Sequence, residues 1–382
     1  MKKRITTLTA AAVAMVGTAA YAEDSLEFYG IISTGLAYEQ VQPGESVETQ
    51  QQLGFDTGQW MGSRFGVRGN YRVTDSLVTV FTLEGGYNST SGQQSQGRRL
   101  FGRELTAGLQ IDGIGTLEVG RMNSAATQVL YQYDPFIASF GTSSLTSSFG
   151  ASFSRWDNTI RFQSEDLSGV TLHAAYSFDP AISSNSNSEG SGYETSAKDR
   201  ALSLGLNYET GPTAIGVVYD RYFSNEENTG SGAINNDTDM TAYGLAATHD
   251  FGSLTLHGFV GREENGIVGA LGGVADILAG DSSANGSTLL FADGVSRVTT
   301  MLGATIPLAS GDLRVGLQTA ELDAGSQHSD DGADTQRIVS LAYTQELSDR
   351  FGWYAYTSVA DNLNMVEGAE SFQIGSGIRV NF

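Results

Sequence analysis

The sequence predicts an all-β fold, a transmembrane antiparallel β-barrel of sixteen strands with short periplasmic turns at one end and long external loops at the other. Three observations support this prediction. Apolar residues alternate with polar or small residues along most of the chain after residue 22, short and long connections alternate, and no run of eighteen apolar residues occurs. A period of two is typical of strands, whereas a membrane helix would need such an apolar run.

The composition excludes several function classes. The chain has 382 residues, no cysteine, and 43 acidic against 21 basic residues, for a formal net charge of −22. Without cysteine there is no disulfide framework, no thiolate zinc site and no thiol nucleophile. An acidic chain is a poor partner for nucleic acid, because binding to phosphates needs a basic surface. We expect no nucleic-acid partner, no metal site and no cofactor.

Residues 1–22 are predicted to be a secretory signal peptide. Lys2, Lys3 and Arg4 form a basic start, residues 8–17 are short, apolar and rich in alanine, and Ala20-Tyr21-Ala22 has the small-x-small cleavage pattern. A short membrane helix or a disordered N-terminus is the alternative, but the apolar part is too short to span a bilayer. We expect export of the chain, with residues 23–382 forming one barrel domain.

Sixteen segments carry the alternating pattern. In residues 201–209, for example, Leu202, Leu204, Leu206 and Tyr208 alternate with small or polar residues. A strand needs about 9–11 residues to cross a bilayer at the usual tilt, and most of the segments reach that length. They are residues 25–39, 59–72, 75–88, 99–112, 114–123, 155–165, 168–180, 199–210, 212–224, 239–250, 252–264, 295–307, 310–323, 335–347, 350–362 and 370–382.

The connections between these segments alternate in length. Seven are tight turns, such as residues 112–115 and 347–349, and the other eight are mostly long and rich in Gly, Ser, Asn and Asp. In hydrocarbon every backbone polar group must be paired, so a sheet can span the membrane only if it closes. The inward partners are polar, which predicts an aqueous lumen rather than a packed core. A soluble β-sandwich is the alternative, and it explains neither the polar interior nor the alternating loops.

Six segments, in the right order, resemble parts of the Gram-negative general porins. The first resembles their first strand, the next four resemble strands two, four, five and six, and the last resembles their C-terminal end. The segments are residues 26–36, 63–69, 103–109, 115–121, 155–162 and 377–382. The chain also ends on Phe382, which resembles the C-terminal recognition signal of outer-membrane proteins.

The resemblance implies a homotrimer in the outer membrane, in which each barrel holds its own channel for passive diffusion of ions and small hydrophilic solutes. Its implied partners are membrane lipid, lipopolysaccharide and the barrel-assembly machinery. The alternative function is a substrate-selective porin that prefers anions such as phosphate. No enzymatic activity and no catalytic residues are expected, because none of the four histidines lies in a recognisable hydrolase motif.

The resemblance also implies that the third external loop, about residues 122–154, folds into the barrel and narrows the pore. Motif positions place Arg64, Arg103 and Arg155 in the wall at this constriction, and Arg68 and Arg161 share their lumen-facing parity. The loop holds one acid, Asp134, which is implied to face the pore. Because Asp134 precedes a proline, a turn-forming role is equally open.

Three predicted lumen carboxylates leave a further alternative open. Each arginine either contributes to a pore field or pairs with a carboxylate, for which we name Glu84, Glu118 and Asp157. Arg121 falls on the outward face by parity and serves either a subunit contact or the bracing of the inserted loop. The external loops carry 16 acids opposed by only Arg98 and Lys198. Whether they bind divalent cations, and whether the acidic mouth or the basic waist decides ion selectivity, stays open.

Overall fold

The computed structural model describes residues 24–42, 48–97, 99–150, 154–180, 199–224, 239–270, 287–323 and 334–382. The signal peptide predicted for residues 1–22 lies outside the described residues, as do His328 and many of the acids of the external loops. No helix among the described residues is long and apolar enough to cross a membrane.

The described residues form seventeen strands in one antiparallel sheet. The strands are β1 Ser25–Gln42, β2 Gln50–Thr57, β3 Arg64–Thr74, β4 Leu77–Gly86, β5 Glu104–Ile111, β6 Gly115–Asn123, β7 Arg155–Ser164, β8 Val170–Ser177, β9 Arg200–Thr210, β10 Thr213–Phe223, β11 Met240–Asp250, β12 Thr255–Ala270, β13 Ser287–Leu308, β14 Gly311–Leu322, β15 Gln336–Ser348, β16 Phe351–Asp361 and β17 Glu370–Asn381. A short helix, α1 Ala125–Leu130, lies between β6 and β7.

The sheet closes into a barrel of sixteen membrane-crossing strands. β1 pairs with β17 along twelve residue pairs, from Ile31 opposite Asn381 to Gln42 opposite Glu370. β2 and β3 both pair with β1, one after the other, so together they make one interrupted crossing. The sixteen-stranded antiparallel barrel predicted from the sequence is therefore confirmed.

The observed strands differ from the predicted segments mainly at their external ends. β2 lies in a stretch predicted to be a loop, and β12 and β13 run on to Ala270 and from Ser287. These extensions pair with each other beyond a register shift after Glu264. The alternation of apolar and polar residues stops before them, because a strand pair needs an apolar face only where that face meets lipid or a core.

The burial pattern is the inverse of a soluble barrel. Outward-facing Leu204, Val217 and Leu302 are more than 40 % exposed, whereas inward-facing Ser203 and Asp220 are fully buried. Lipid would cover the apolar outer surface, and the polar residues line the interior. This arrangement follows directly from the period of two in the strand sequences.

The interior is not wholly aqueous, because the connection between β6 and β7 folds into it. The helix α1 and the residues after it pack on the wall, and the rings of Phe149 and Phe259 lie 4.9 Å apart. The resulting apolar cluster corrects the expectation of a lumen without a packed core. Its members are Ala125, Ala126, Val129, Leu130, Tyr133, Leu145 and Phe149 from the connection and Trp156, Ala175, Ala201, Val218, Tyr222, Met240, Ala242, Ala246, Phe259 and Met301 from strands β7 to β13.

Candidate functional site inside the barrel

One carboxylate lies between two wall arginines at strands β3 to β5, a part of the wall that contributes no residue to this apolar cluster. Glu84 lies on β4, Arg64 begins β3, and Arg103 directly precedes β5. The Arg103 Nε lies 2.5 Å from the Glu84 Oε1, and the Arg64 Nη1 lies 3.8 Å from the same oxygen. The Tyr29 hydroxyl donates to the other carboxylate oxygen at 2.9 Å. Glu84 is therefore shared, and it neutralises only one of the two guanidinium groups.

Arg155, the first residue of β7, completes the cluster. It interacts electrostatically with Arg103, Glu84 and the loop residue Tyr131, and Arg64 interacts with it in turn. Within the described part of the chain, no carboxylate lies within ion-pair distance of Arg155. The structure thus brings together three of the sequence-predicted arginines. Among the described residues, Glu84 is the one carboxylate within ion-pair distance of any of them, and Glu104 interacts with Arg155 only at longer range.

Asp134 does not face this arginine cluster. Its side chain is 1 % exposed. Its oxygens accept hydrogen bonds from the backbone amides of Phe136, Ala138 and Leu145 and from the Ser144 hydroxyl, at 2.9 to 3.1 Å. Burial raises the pKa of the Asp134 carboxyl above its ordinary value, and these hydrogen bonds act in the opposite direction. The geometry supports the turn-forming alternative, in which Asp134 holds the inserted loop together.

Arg314, which the sequence analysis did not single out, supports the same loop. Its Nη1 donates to the Pro135 carbonyl at 2.6 Å, and it interacts electrostatically with Asp134. His257 contributes from the neighbouring wall, with its Nδ1 3.1 Å from the Tyr133 carbonyl. Both residues lie at inward positions of clearly alternating strands, and that parity is the signal that identifies them as wall residues facing the loop.

Arg68 and Arg161 lie outside the arginine cluster and have partners of their own. Arg68, four residues closer than Arg64 to the short-turn end of β3, pairs with Glu27 at 2.7 Å, and both side chains are about half exposed. The Arg161 Nη2 lies 2.6 Å from the Glu118 Oε2. Arg68 and Arg161 therefore follow the alternative in which an arginine pairs with a carboxylate, and Glu118 is one of these carboxylates.

Asp157 and Arg121 form a separate contact that strand parity could not predict. The pairing of β6 with β7 shifts register between Gly120 and Met122, and such a bulge changes the direction of the side chains beyond it. The Arg121 Nη1 lies 2.6 Å from Asp157, and its Nε donates to the Gly102 carbonyl at 2.7 Å. Arg121 therefore braces the connection before β5, rather than the inserted loop.

Phe382 closes the barrel at the end that carries the short turns. Its backbone amide donates to the Gly30 carbonyl of β1 at 3.1 Å, and its carbonyl accepts from the Gly30 amide at 2.9 Å. Phe382 is 58 % exposed. The exposed ring shares the outward parity of Phe372, Ile374 and Ile378. Among the described residues, no group of three or more potential ligands could hold a metal ion.

Comparisons with known proteins agree with this architecture. A family model described as Gram-negative porin matches residues 8–364. An outer membrane porin protein of Bordetella pertussis is 33 % identical over 397 aligned positions, which cover all of both chains. Outer membrane porin protein 32 of Delftia acidovorans is 26 % identical, covering 85 % of this chain and 95 % of that protein.

Solved structures share the same fold. An anion-selective porin from Comamonas acidovorans aligns with a TM-score of 0.70 at 19 % identity, covering 94 % of this chain and all of the other. The trimer form of OmpT from Vibrio cholerae aligns with a TM-score of 0.61 at 16 % identity, covering 94 % and 100 %. The closed barrel, its inserted loop and these similarities lead to one conclusion: the chain belongs to the Gram-negative porin family and forms a channel in the outer membrane.

Proposed function

We propose that the constriction of this channel is the space between the arginine cluster (Arg64, Arg103 and Arg155) and the inserted loop, and that it favours small anions. One observation carries the proposal: among the described residues, Glu84 is the one carboxylate within ion-pair distance of the three guanidinium groups, and the loop acid Asp134 is turned into its own loop. The constriction then has a positive wall without an opposing negative one. The channel stays a general one, through which small hydrophilic solutes and ions diffuse passively.

The strength of the electrostatic interactions favours the arginines of the constriction (the waist) over the acids of the external loops (the mouth) as the determinant of ion selectivity. Two unit charges 4 Å apart interact by about 4 kcal/mol at the effective dielectric constant near a protein surface, against about 1 kcal/mol in bulk water. The mouth acids act through open solution, where salt screens charge over about 8 Å at physiological ionic strength. An ion in a narrow passage lies within that distance of the arginines, and low-dielectric walls focus their field.

The reversal potential in a planar bilayer under a KCl gradient tests the proposal. We expect the purified channel to prefer chloride over potassium. The variant Arg155→Gln should lower the chloride-to-potassium permeability ratio by about half, because it removes the guanidinium group that has no carboxylate partner among the described residues. Arg337→Gln is the matched control, since this exposed arginine pairs with Asp361 at an external strand end. A cation-preferring wild type, or an unchanged ratio in Arg155→Gln, contradicts the proposal.

The second candidate is a substrate-selective channel for anions such as phosphate. Arg155 supports it, because a guanidinium group without an ion-pair partner among the described residues is available to a phosphate or carboxylate. The structural relative described as anion-selective is 19 % identical to this chain and shows a shared fold. Support for phosphate selectivity therefore comes from the residues of this chain. Millimolar phosphate should reduce the chloride current of a selective channel, whereas a general channel conducts without such a block.

We further infer that the chain forms a homotrimer, that residues 1–22 are cleaved, and that Phe382 serves recognition by the barrel-assembly machinery. The trimer form among the related structures supports the first inference. Gel electrophoresis with and without heating tests the trimer, since a trimer should migrate as a larger species that heat dissociates.

The mass of the N-terminal peptide of the mature protein tests the cleavage of residues 1–22. For the third, Phe382→Ala should lower the amount of folded channel in the outer membrane. Contact with lipopolysaccharide at the external rim is inferred from the family only.

A further inference from the structure

The wall of the barrel itself folds inward at one place, between β2 and β3. Thr57 pairs with Thr34 of β1, and Arg64 pairs with Ile31. Two residues of β1 lie between these pairs, whereas residues 58–63 supply six on the other side. The surplus has to leave the plane of the sheet, as in a large bulge. We call residues 58–63 the wall insertion.

A single buried serine fixes both ends of the wall insertion. The Ser33 carbonyl accepts hydrogen bonds from the Gly58 amide at 2.8 Å and from the Ser63 hydroxyl at 3.0 Å. The Ser33 amide donates to the Ser63 hydroxyl at 3.0 Å, and the Ser33 hydroxyl accepts from the Trp60 amide at 3.2 Å. The insertion is thus tied down at its base, and its position in the lumen is defined.

The inner side of the wall insertion holds the tip of the inserted loop. The Phe140 amide donates to the Gln59 carbonyl at 2.7 Å, and the Met61 amide donates to the Ser139 hydroxyl at 3.2 Å. Trp60 and Met61 are buried in a second apolar cluster that also contains Phe140. Phe140 and Met61 both have positive φ angles, 65° and 69°, which non-glycine residues keep only where surrounding contacts hold them.

The same segment contacts two members of the arginine cluster. The Arg64 Nε donates to the Gly62 carbonyl at 2.9 Å. A Cβ atom on Gly62 would lie 3.0 Å from the Arg103 Nη1, closer than an ordinary van der Waals contact. The missing side chain of Gly62 therefore leaves the space that the Arg103 guanidinium occupies.

We propose that the wall insertion is a second inward element of the constriction, which clamps the tip of the inserted loop and positions Arg64 and Arg103. Gly62 is then a positioning residue: it sets ion selectivity without a charge, through the place that it gives to two guanidinium groups. The inference rests on the proposed function, because it assigns the selectivity to those arginines.

The reversal potential of Gly62→Val channels in a KCl gradient tests the proposal. The added side chain should displace the Arg103 guanidinium and change the chloride-to-potassium permeability ratio at least two-fold. Gly62→Ala should change it in the same direction by a smaller factor, and it serves if the valine variant does not fold. Gly54→Val is the matched control, since it lies on β2 four residues before the insertion and a Cβ atom there has no atom within 4 Å. Heat-dependent migration on gels verifies folding.

A double-mutant cycle with Arg103→Gln shows whether Gly62 acts through the arginine. In the Arg103→Gln background, Gly62→Val should change the permeability ratio by clearly less than it does in the wild type. Equal factors in both backgrounds, or a wild-type ratio in folded Gly62→Val channels, overturn the inference. An unchanged ratio in Arg103→Gln alone contradicts the proposed function as well. A changed ratio in Arg103→Gln with an unchanged ratio in Gly62→Val overturns only the role of the wall insertion.

Discussion

Glu84 and Arg155 illustrate opposite uses of charge in neighbouring residues. Glu84 is 8 % exposed and contacts two guanidinium groups and the Tyr29 hydroxyl, so its charge is needed to keep Arg64 and Arg103 close together. Arg155 has no ion-pair partner among the described residues. One side chain therefore serves stability and the other serves the field at the constriction.

The two variants Glu84→Gln and Arg155→Gln should consequently differ in both stability and selectivity. Glu84→Gln should lower the free energy of unfolding by about 3 kcal/mol, the low end for breaking a buried ion pair, because 11 % of the carboxylate side chain stays exposed. It should also raise the chloride preference. Arg155→Gln should lower that preference and leave the stability nearly unchanged. Thermal unfolding in detergent and reversal potentials measure the two effects; equal loss of stability in both variants contradicts this division of roles.

At the scale of the element, the inserted loop is held by close packing against glycines of the wall. A Cβ atom on Gly216 would lie 2.5 Å from the Tyr133 ring and 2.9 Å from Val129. Gly216→Val should therefore push the loop toward the arginine cluster, at a cost of about 1–3 kcal/mol for overpacking, and lower the single-channel conductance. Gly258→Val is the control, since a Cβ atom there meets nothing within 4 Å. A wild-type conductance in folded Gly216→Val channels would show that the loop does not limit the pore.

The strands could be predicted from the sequence because their alternation repeats over the whole length of each crossing. In β9, one period-two pattern gives both the exposed Leu204 and the buried Ser203. The same argument fails for Arg121, because one bulge reverses the parity of the residues beyond it. The motif positions place Arg64, Arg103 and Arg155 at the ends of nearby crossings, and these three residues lie close together in the structure. Their role at the constriction stays a prediction.

The loops could not be predicted in the same way, because their side chains point where tertiary contacts place them. Asp134 resembles a pore acid in sequence, yet three backbone amides and a hydroxyl of its own loop surround its carboxylate. The wall insertion left no sequence signal either, because Gly62 has no side-chain chemistry and Trp60 resembles an ordinary aromatic residue at a strand end. Such features depend on which distant segment packs against them.

At the scale of the whole molecule, the charge distribution sets the mouth against the waist. Apart from the inserted loop, the external loops carry 15 acids in the sequence, whereas the constriction carries the arginine cluster with Glu84 as the carboxylate within ion-pair distance. The two regions respond differently to salt. The screening length falls from about 30 Å at 0.01 M to about 3 Å at 1 M, so the acids of the external loops attract cations over a much shorter distance at high salt.

The permeability ratio should therefore depend on salt in an unusual direction. At 0.01 M the acidic mouth gathers potassium and offsets the arginines, whereas near 0.1 M the mouth is screened and the narrow waist still acts on each passing ion. We expect the chloride-to-potassium permeability ratio to rise from 0.01 M to about 0.1 M salt, when the ratio of the concentrations on the two sides of the bilayer is kept the same. Arg155→Gln channels keep the mouth and lose part of the waist, so they should prefer potassium at 0.01 M. A chloride preference that falls steadily with salt in the wild type would mean that the arginines act alone and that the mouth contributes nothing to selectivity.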